Sequence, residues 1–195
     1  METRTFDYKG IKTAYYYSEG GKDSIMLLHG YSFNSAVWSE MGLVEALNGL
    51  GLSVLAIDVP GFPQSANKLV MNEAEIVAFL GALSKTIDGK LFVLGTSASA
   101  HAVLKFAESA RDNLKGIVVV GPASVKGIAL ERIGAPVLAV WGSDDDVSPP
   151  YKSEGAIKSI KDSEISIIRN AGHACYLNQP KAFIRIVSDF IIRTR

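Results

Sequence analysis

The sequence holds a single cysteine, Cys175. No disulfide can close within the chain, so it does not depend on an oxidising compartment. It carries no excess of one charge: 20 Lys+Arg stand against 20 Asp+Glu, for a formal net charge of +0. That balance gives no reason to expect DNA, RNA or an anionic membrane as a partner. Its apolar runs fall well short of the ~20 residues that span a bilayer. The opening METRTFDYKG lacks the apolar stretch of a secretion signal. A cytoplasmic protein without a membrane segment is therefore expected. His, Cys and carboxylate residues show no metal-ligand spacing, and SEGGKDS has the wrong spacing for a phosphate-cradling loop. No metal and no cofactor is expected.

What is present is apolar residue, 48% of 195, enough to bury a large core. The length suits one domain over 1–195, with no linker, repeat or low-complexity tract to divide it. RTFDY and KTAYYYSE flank Lys9-Gly10 and predict an antiparallel hairpin. SIMLLHG, SVLAIDVPG, KLFVLG, KGIVVVG, APVLAVWG and EISIIRN read as strands, most of them continuous apolar runs of the kind buried on both faces. Helical spacing predicts helices over Ser39–Leu50, after an Asn72 cap, over Ala98–Ala110, over Tyr151–Ile160 and over Pro180–Ile192. The Pro122–Ala135 connection has room for one or two helical turns and no inserted domain. Together these predict an α/β fold: a mostly parallel sheet of eight strands with helices on both faces.

In such a sheet the working groups gather beyond the carboxyl ends of the strands. GTSAS places Ser97 at a corner between a strand and a helix, with small neighbours Gly95 and Ala98 that let strand and helix approach closely. A sharp turn there exposes Oγ and sets the Ala98 N–H beside an attacked carbonyl, aided by the positive end of the helix. Ser97 could also be no more than a small residue in a tight turn. A serine nucleophile needs a base, and the base an orienting acid. WGSDDDVSP follows one strand and NAGHACYLNQP, with His173, follows another, in the order serine, acid, histidine. Asp144, Asp145 and Asp146 are all candidates for the acid. The second oxyanion donor is expected to be the N–H of Tyr31, in the loop LLHGYSFNSAVW, paired with that of Ala98.

His29-Gly30, DVPGFPQS, GTSAS, WGSDDDVSP and AGHACYL together resemble the α/β-hydrolase superfamily over nearly the whole chain. Within it, the HG…F.S..W spacing and the histidine segment resemble the small, lid-poor α/β-hydrolase domain-containing protein 14 group. The resemblance implies an α/β-hydrolase domain over 1–195 with no separate cap. It implies a serine hydrolase acting on esters or acyl amides, with carboxylesterase activity on short acyl chains typical and lysine deacylation associated with the group. The family spacing, three residues after Gly142 and four before Pro149, makes Asp145 the acid. It makes His29 a structural residue of the oxyanion loop. Two positions depart from the family pattern: Ser99 stands where the elbow usually ends in glycine, and Pro63 replaces a glycine in the loop after Asp58.

The expected chemistry is two-step acyl transfer to water by Ser97, His173 and Asp145. Phe33, Phe62 and Tyr176 are expected to border the substrate. The short connection after the sixth strand favours an exposed cleft and either a small acyl substrate or an acyl group displayed on a larger molecule. A monomer is the default. The rival expectation is a binding or interaction protein on the same fold with a weak or vestigial triad, a view that Ser99 and Pro63 lend support. Thioester hydrolysis, perhydrolysis and carbon–carbon cleavage are related chemistries on the same triad, whereas dehalogenation needs a carboxylate where Ser97 stands. His101 reads as a buried, hydrogen-bonded helix residue rather than a second base, and Cys175 as a small buried side chain.

Overall fold

The computed structural model describes residues 1–67, 70–110 and 114–195. The first hairpin pairs β1 (Glu2–Tyr8) with β2 (Ile11–Ser18) in antiparallel register, Tyr8 opposite Ile11. Lys9 and Gly10 both take positive φ, 53° and 79°, the twist that matches a two-residue hairpin. The remaining strands are β3 (Asp23–Leu28), β4 (Leu52–Ile57), β5 (Leu91–Thr96), β6 (Leu114–Val120), β7 (Val137–Gly142) and β8 (Ser163–Ile168). They join one sheet in the order β1-β2-β4-β3-β5-β6-β7-β8, with every pair from β4 to β8 parallel. The expected eight-stranded, mostly parallel α/β sheet with helices on both faces is what the chain adopts.

Side chains alternate across the strands and feed two cores. Met26, Leu28, Val93 and Val119 face one side, which α3 (Glu73–Ser84) and α4 (Ala98–Ala107) cover with Phe79, Leu80, Val103 and Leu104. Ile25, Leu27, Phe92, Leu94 and Val118 face the other. There α1 (Val37–Glu40), α2 (Leu43–Gly49) and α7 (Pro180–Thr194) supply Trp38, Leu43, Leu47, Phe183 and Val187. The short α5 (Glu154–Ile157) adds Ile157 to the first core, and α6 (Cys175–Asn178) adds Cys175 and Tyr176 to the second.

Four predicted helices differ in extent, α7 only by running on to Thr194 instead of ending at Ile192. The Ser39–Leu50 segment is two helices, with the chain turning between them at Gly42, φ 81°. The Tyr151–Ile160 segment is a 3₁₀ turn, Pro150–Lys152, and then α5, separated by Ser153 at φ −139°. The third, α4, stops at Ala107 rather than Ala110. There the Phe106 carbonyl accepts from Ser109 N, Ala110 N and Ser109 Oγ, so the last turn tightens toward i→i−3 pairing. Between β6 and β7 lies one 3₁₀ turn, Leu130–Arg132. Among the described residues no helix is long and apolar enough to cross a membrane.

The register brings the strand ends level. Leu28 stands opposite both Ile57 and Gly95, Thr96 opposite Val120, Val120 opposite Val140, and Gly142 opposite Ile168. The loops after β3, β5, β7 and β8 therefore leave the sheet at one rim, the place where open α/β sheets collect their working groups.

Candidate active site

Ser97 occupies the corner between β5 and α4 with φ 55° and ψ −115°, a backbone state that L-residues rarely adopt. Two backbone bonds hold it. Its N–H donates to the Val120 carbonyl (2.8 Å), and its own carbonyl accepts from Ala123 N–H (3.2 Å). The turn is as tight as its small residues imply: a Cβ on Gly95 would stand 2.7 Å from Val103 Cγ2 and 2.8 Å from the Ser99 carbonyl. Ser99 does not open the elbow. Its buried hydroxyl accepts from Thr96 N–H (2.9 Å) and lies 3.0 Å from the carbonyls of both Leu28 and Thr96. Ser99 thus pins the elbow to the end of β3, where the Tyr31 loop begins.

Ser97 Oγ lies 3.0 Å from His173 Nε2. On the far side of the ring, Nδ1 lies 2.9 Å from Oδ2 and 3.1 Å from Oδ1 of Asp145. An ionised carboxylate can only accept, so Nδ1 carries the proton and Nε2 keeps its lone pair for the serine hydroxyl. Asp145 is buried while Asp144 and Asp146 are exposed. Its Oδ1 also accepts the N–H of Ser148 (2.8 Å) and Val147 (3.1 Å). The three side chains singled out from the sequence are thus in contact.

Several residues that the sequence reading passed over serve this contact. Gly121, at the end of β6, has φ 48°, and a Cβ there would lie 3.0 Å from Asp145 Oδ2 and 3.1 Å from the His173 ring. Its signal was visible in KGIVVVG, as a glycine closing a strand. Ser148 Oγ donates to the Pro122 carbonyl at 2.6 Å, which ties the acid loop to the β6 exit. Ser143 Oγ donates to Asp144 and accepts from Asn170 N–H, both at 3.0 Å, and Asn178 Oδ1 accepts from Gly172 N–H at 2.9 Å. These polar clamps hold the histidine loop, and no short motif announces them.

His29 is fully buried. Its Nδ1 donates to the Gly30 carbonyl (2.8 Å) and its Nε2 accepts from Val59 N–H (3.0 Å). Burial lowers its pKa below the ordinary histidine value, so it stands as a neutral strut under the Tyr31 loop. Asp58 braces the same region, accepting from Ser35 N–H (2.8 Å) and Ala66 N–H (3.0 Å). Asn67 Nδ2 bridges the carbonyls of Asp58 (2.7 Å) and Ala14 (2.8 Å), so the loop containing Pro63 is anchored on both sides. His101 is committed to Ser124 O (2.8 Å) and Glu73 Oε2 (3.0 Å). Cys175 is buried, and burial pushes its thiol up to about 12, which leaves no useful thiolate. Burial likewise pushes the Tyr176 phenol up to about 12.

Two cavities open near the elbow. One of about 260 Å³ is lined by Ser97, His173, Tyr31, Phe33, Val147 and Tyr176. The other, about 540 Å³, runs from Ala98 and Ala123 along α3 and α4, and Phe62 belongs to its wall. Phe33 and Tyr176 thus border one cavity and Phe62 the other. Among the described residues no group of three or more His, Cys, Asp or Glu side chains is placed to hold a metal ion.

Comparison with known proteins agrees with this architecture. The sequence profile of Hydrolase_4, described as serine aminopeptidase S33, matches residues 21–130. Human ABHD14A is 31% identical over 86% of this chain, which spans 63% of that protein's length. Human ABHD14B, whose name provisionally gives it protein-lysine deacylation, is 29% identical over 86% of this chain and 82% of its own. A crystal structure from Thermoplasma acidophilum, described as a predicted CIB-like hydrolase, superposes with a TM-score of 0.86 at 28% identity, covering 97% of both chains. Est1E from Butyrivibrio proteoclasticus with ferulic acid bound superposes at 0.84, covering 98% of both chains, but at 18% identity it speaks for the fold alone.

Proposed function

This chain belongs to the α/β-hydrolase family, and from that membership we propose that it is a serine hydrolase cleaving acyl esters of small molecules through an acyl-enzyme on Ser97. In the first step His173 Nε2 takes the hydroxyl proton as Ser97 Oγ bonds to the acyl carbon. Asp145 holds the imidazole in the required tautomer and stabilises its positive charge. The N–H groups of Tyr31 and Ala98 bind the developing oxyanion, each contributing ~3 kcal/mol by analogy with one measured donor. The carbon–oxygen bond to the leaving group breaks, and the proton on Nε2 passes to the departing alcohol. Water, deprotonated by His173, then attacks the acyl-enzyme, and collapse releases the acid and returns the proton to Ser97. The scheme uses no cofactor.

The observation that carries this reading is the unbroken run Ser97 Oγ, His173 Nε2, His173 Nδ1, Asp145, with spacings of 3.0 and 2.9 Å, reached at a strained strand-to-helix corner. Acyl amides are the second substrate class, supported by the name that the ABHD14B relatives carry. The substrate is a free small ester or an acyl group displayed on a larger molecule, met by a monomer in the cytoplasm. The test is covalent labelling by a fluorophosphonate probe together with hydrolysis of p-nitrophenyl acetate and butyrate. Wild type is expected to label and turn over, and Ser97→Ala to do neither. A folded wild type that resists the probe and leaves both esters intact would mark the chain as a binding protein instead.

A further inference from the structure

The two cavities beside Ser97 are unequal, and acyl transfer treats its two sides differently. A departing alcohol receives its proton from the imidazole, so its oxygen must lie within hydrogen-bond reach of His173 Nε2. The cavity of about 260 Å³ holds His173, and beside it Val147 and Tyr31. The carbonyl oxygen points to the N–H groups of Tyr31 and Ala98. The remaining substituent, the acyl chain, must leave on the side away from His173. The cavity of about 540 Å³ is lined by neither His173 nor Tyr31 and starts at Ala98 and Ala123. Ala98 follows Ser97 directly, and Ala123 N–H is bonded to the Ser97 carbonyl at 3.2 Å. The two spaces share a wall, since the Phe62 ring in the larger one lies 5.3 Å from the Tyr31 ring in the smaller.

We propose that the larger cavity is the acyl pocket and accepts unbranched chains from butyryl to octanoyl, while the smaller one takes a compact leaving group. The proposal rests on Ser97 being the nucleophile. Val59, Phe62, Ile76, Ala98 and Ala102 give the pocket an apolar throat. His101 is held on both ring nitrogens, by Ser124 and Glu73, and so forms wall rather than a competing base. Glu73 and Lys126, both exposed, line the same cavity and give it a polar, open mouth. An apolar throat of this volume reverses the preference for short acyl chains that an exposed cleft alone suggests. Each added methylene that leaves water for the throat raises kcat/KM by up to about fourfold.

The experiment uses two substrate series on the full chain: acyl length varied on a fixed p-nitrophenyl group, and leaving-group size varied on a fixed butyryl group. The variants are Ala123→Trp, at an exposed position on the acyl side, and Val147→Trp, at an exposed position on the histidine side. Ala123→Trp is expected to lower the ratio of octanoyl to acetyl kcat/KM by about tenfold or more and to leave the leaving-group ratio alone. Val147→Trp is expected to do the converse. The opposite crossing, or an octanoyl-to-acetyl ratio that ignores Ala123→Trp, overturns the pocket assignment while leaving the serine hydrolase standing. A wild type that neither labels nor turns over any ester removes both.

Discussion

The corner at Ser97 concentrates cost and compensation in three residues. A non-glycine residue in this backbone state costs of order 1–3 kcal/mol. Against that stand the bonds from Ser97 to Val120 and Ala123, and the Ser99 hydroxyl at the centre of three backbone contacts. A residue that would look like a flaw against the usual glycine pattern is therefore part of the clamp. The neighbouring question, which of three consecutive aspartates orients His173, has a sharp answer in burial. Asp145→Asn replaces an acceptor with a group that donates to Nδ1, forcing the proton onto Nε2 and away from its task. We expect kcat to fall about 10³–10⁴-fold with thermal stability nearly unchanged. Asp144→Asn and Asp146→Asn, both at exposed positions, should stay within a few fold of wild type. Comparable losses in all three would mean that the acid loop acts through its net charge and not through one oriented carboxylate.

Among the elements, α3 shows how a local signal was enough and where it stopped. Asn72 Oδ1 accepts from Glu75 N–H (3.0 Å) and Glu75 Oε2 accepts from Asn72 N–H (2.9 Å), a reciprocal cap on the helix start. Asn72→Ala should cost about 1 kcal/mol, lowering Tm by about 2–4 °C in a domain of this size. Asn72→Asp, which keeps the acceptor, should recover most of the loss. An unmoved Tm in Asn72→Ala would show that α3 is held by packing alone. The strands were equally legible, because five continuous apolar runs, buried over most of their length, admit few other readings. The helices that the sequence blurred are those whose boundaries are set by something other than period. Gly42 turns the chain inside a stretch whose apolar spacing continues across it, and the last turn of α4 tightens where Ser109 N bonds to the Phe106 carbonyl. The helix α6 spans Cys175–Asn178 only, too short to show a period at all. The same limit applies to the site. Ser97, Asp145 and His173 were readable because this architecture brings serine, acid and histidine in that chain order after successive strands, and the family resemblance singled out the aspartate. Gly121, Ser143, Ser148 and Asn178 were not, because their roles arise from contacts between loops that are distant in the chain.

At the scale of the whole molecule, the parallel sheet is sandwiched between two cores, and its protection falls toward the edges. Every residue of β4, β5 and β7 is buried, whereas β1 is exposed along most of its length and pairs with β2 alone. At the other edge β8 keeps one fully buried residue, Ile168, and Glu164 is held from outside by Arg193 at 2.6 Å. Charged residues on exposed edge strands discourage pairing with a second sheet, and Glu2, Arg4 and Asp7 give β1 that character. The loops that carry Tyr31, Ser97, Asp145 and His173 spring from β3, β5, β7 and β8, so three of the four rest on interior strands and that of His173 alone hangs from an edge. Local opening free energies should follow this order, from near zero at fraying edges up to the global value in the core. In native-state hydrogen exchange, amides of β5 and β7 should open only with global unfolding, matching the free energy from denaturant titration. Amides of β1 should exchange through local fraying, orders of magnitude faster, and those of β8 should fall between. If β1 proves as protected as β5, the hairpin is part of the cooperative core. The edge able to open by itself would then be β8, whose following loop carries His173.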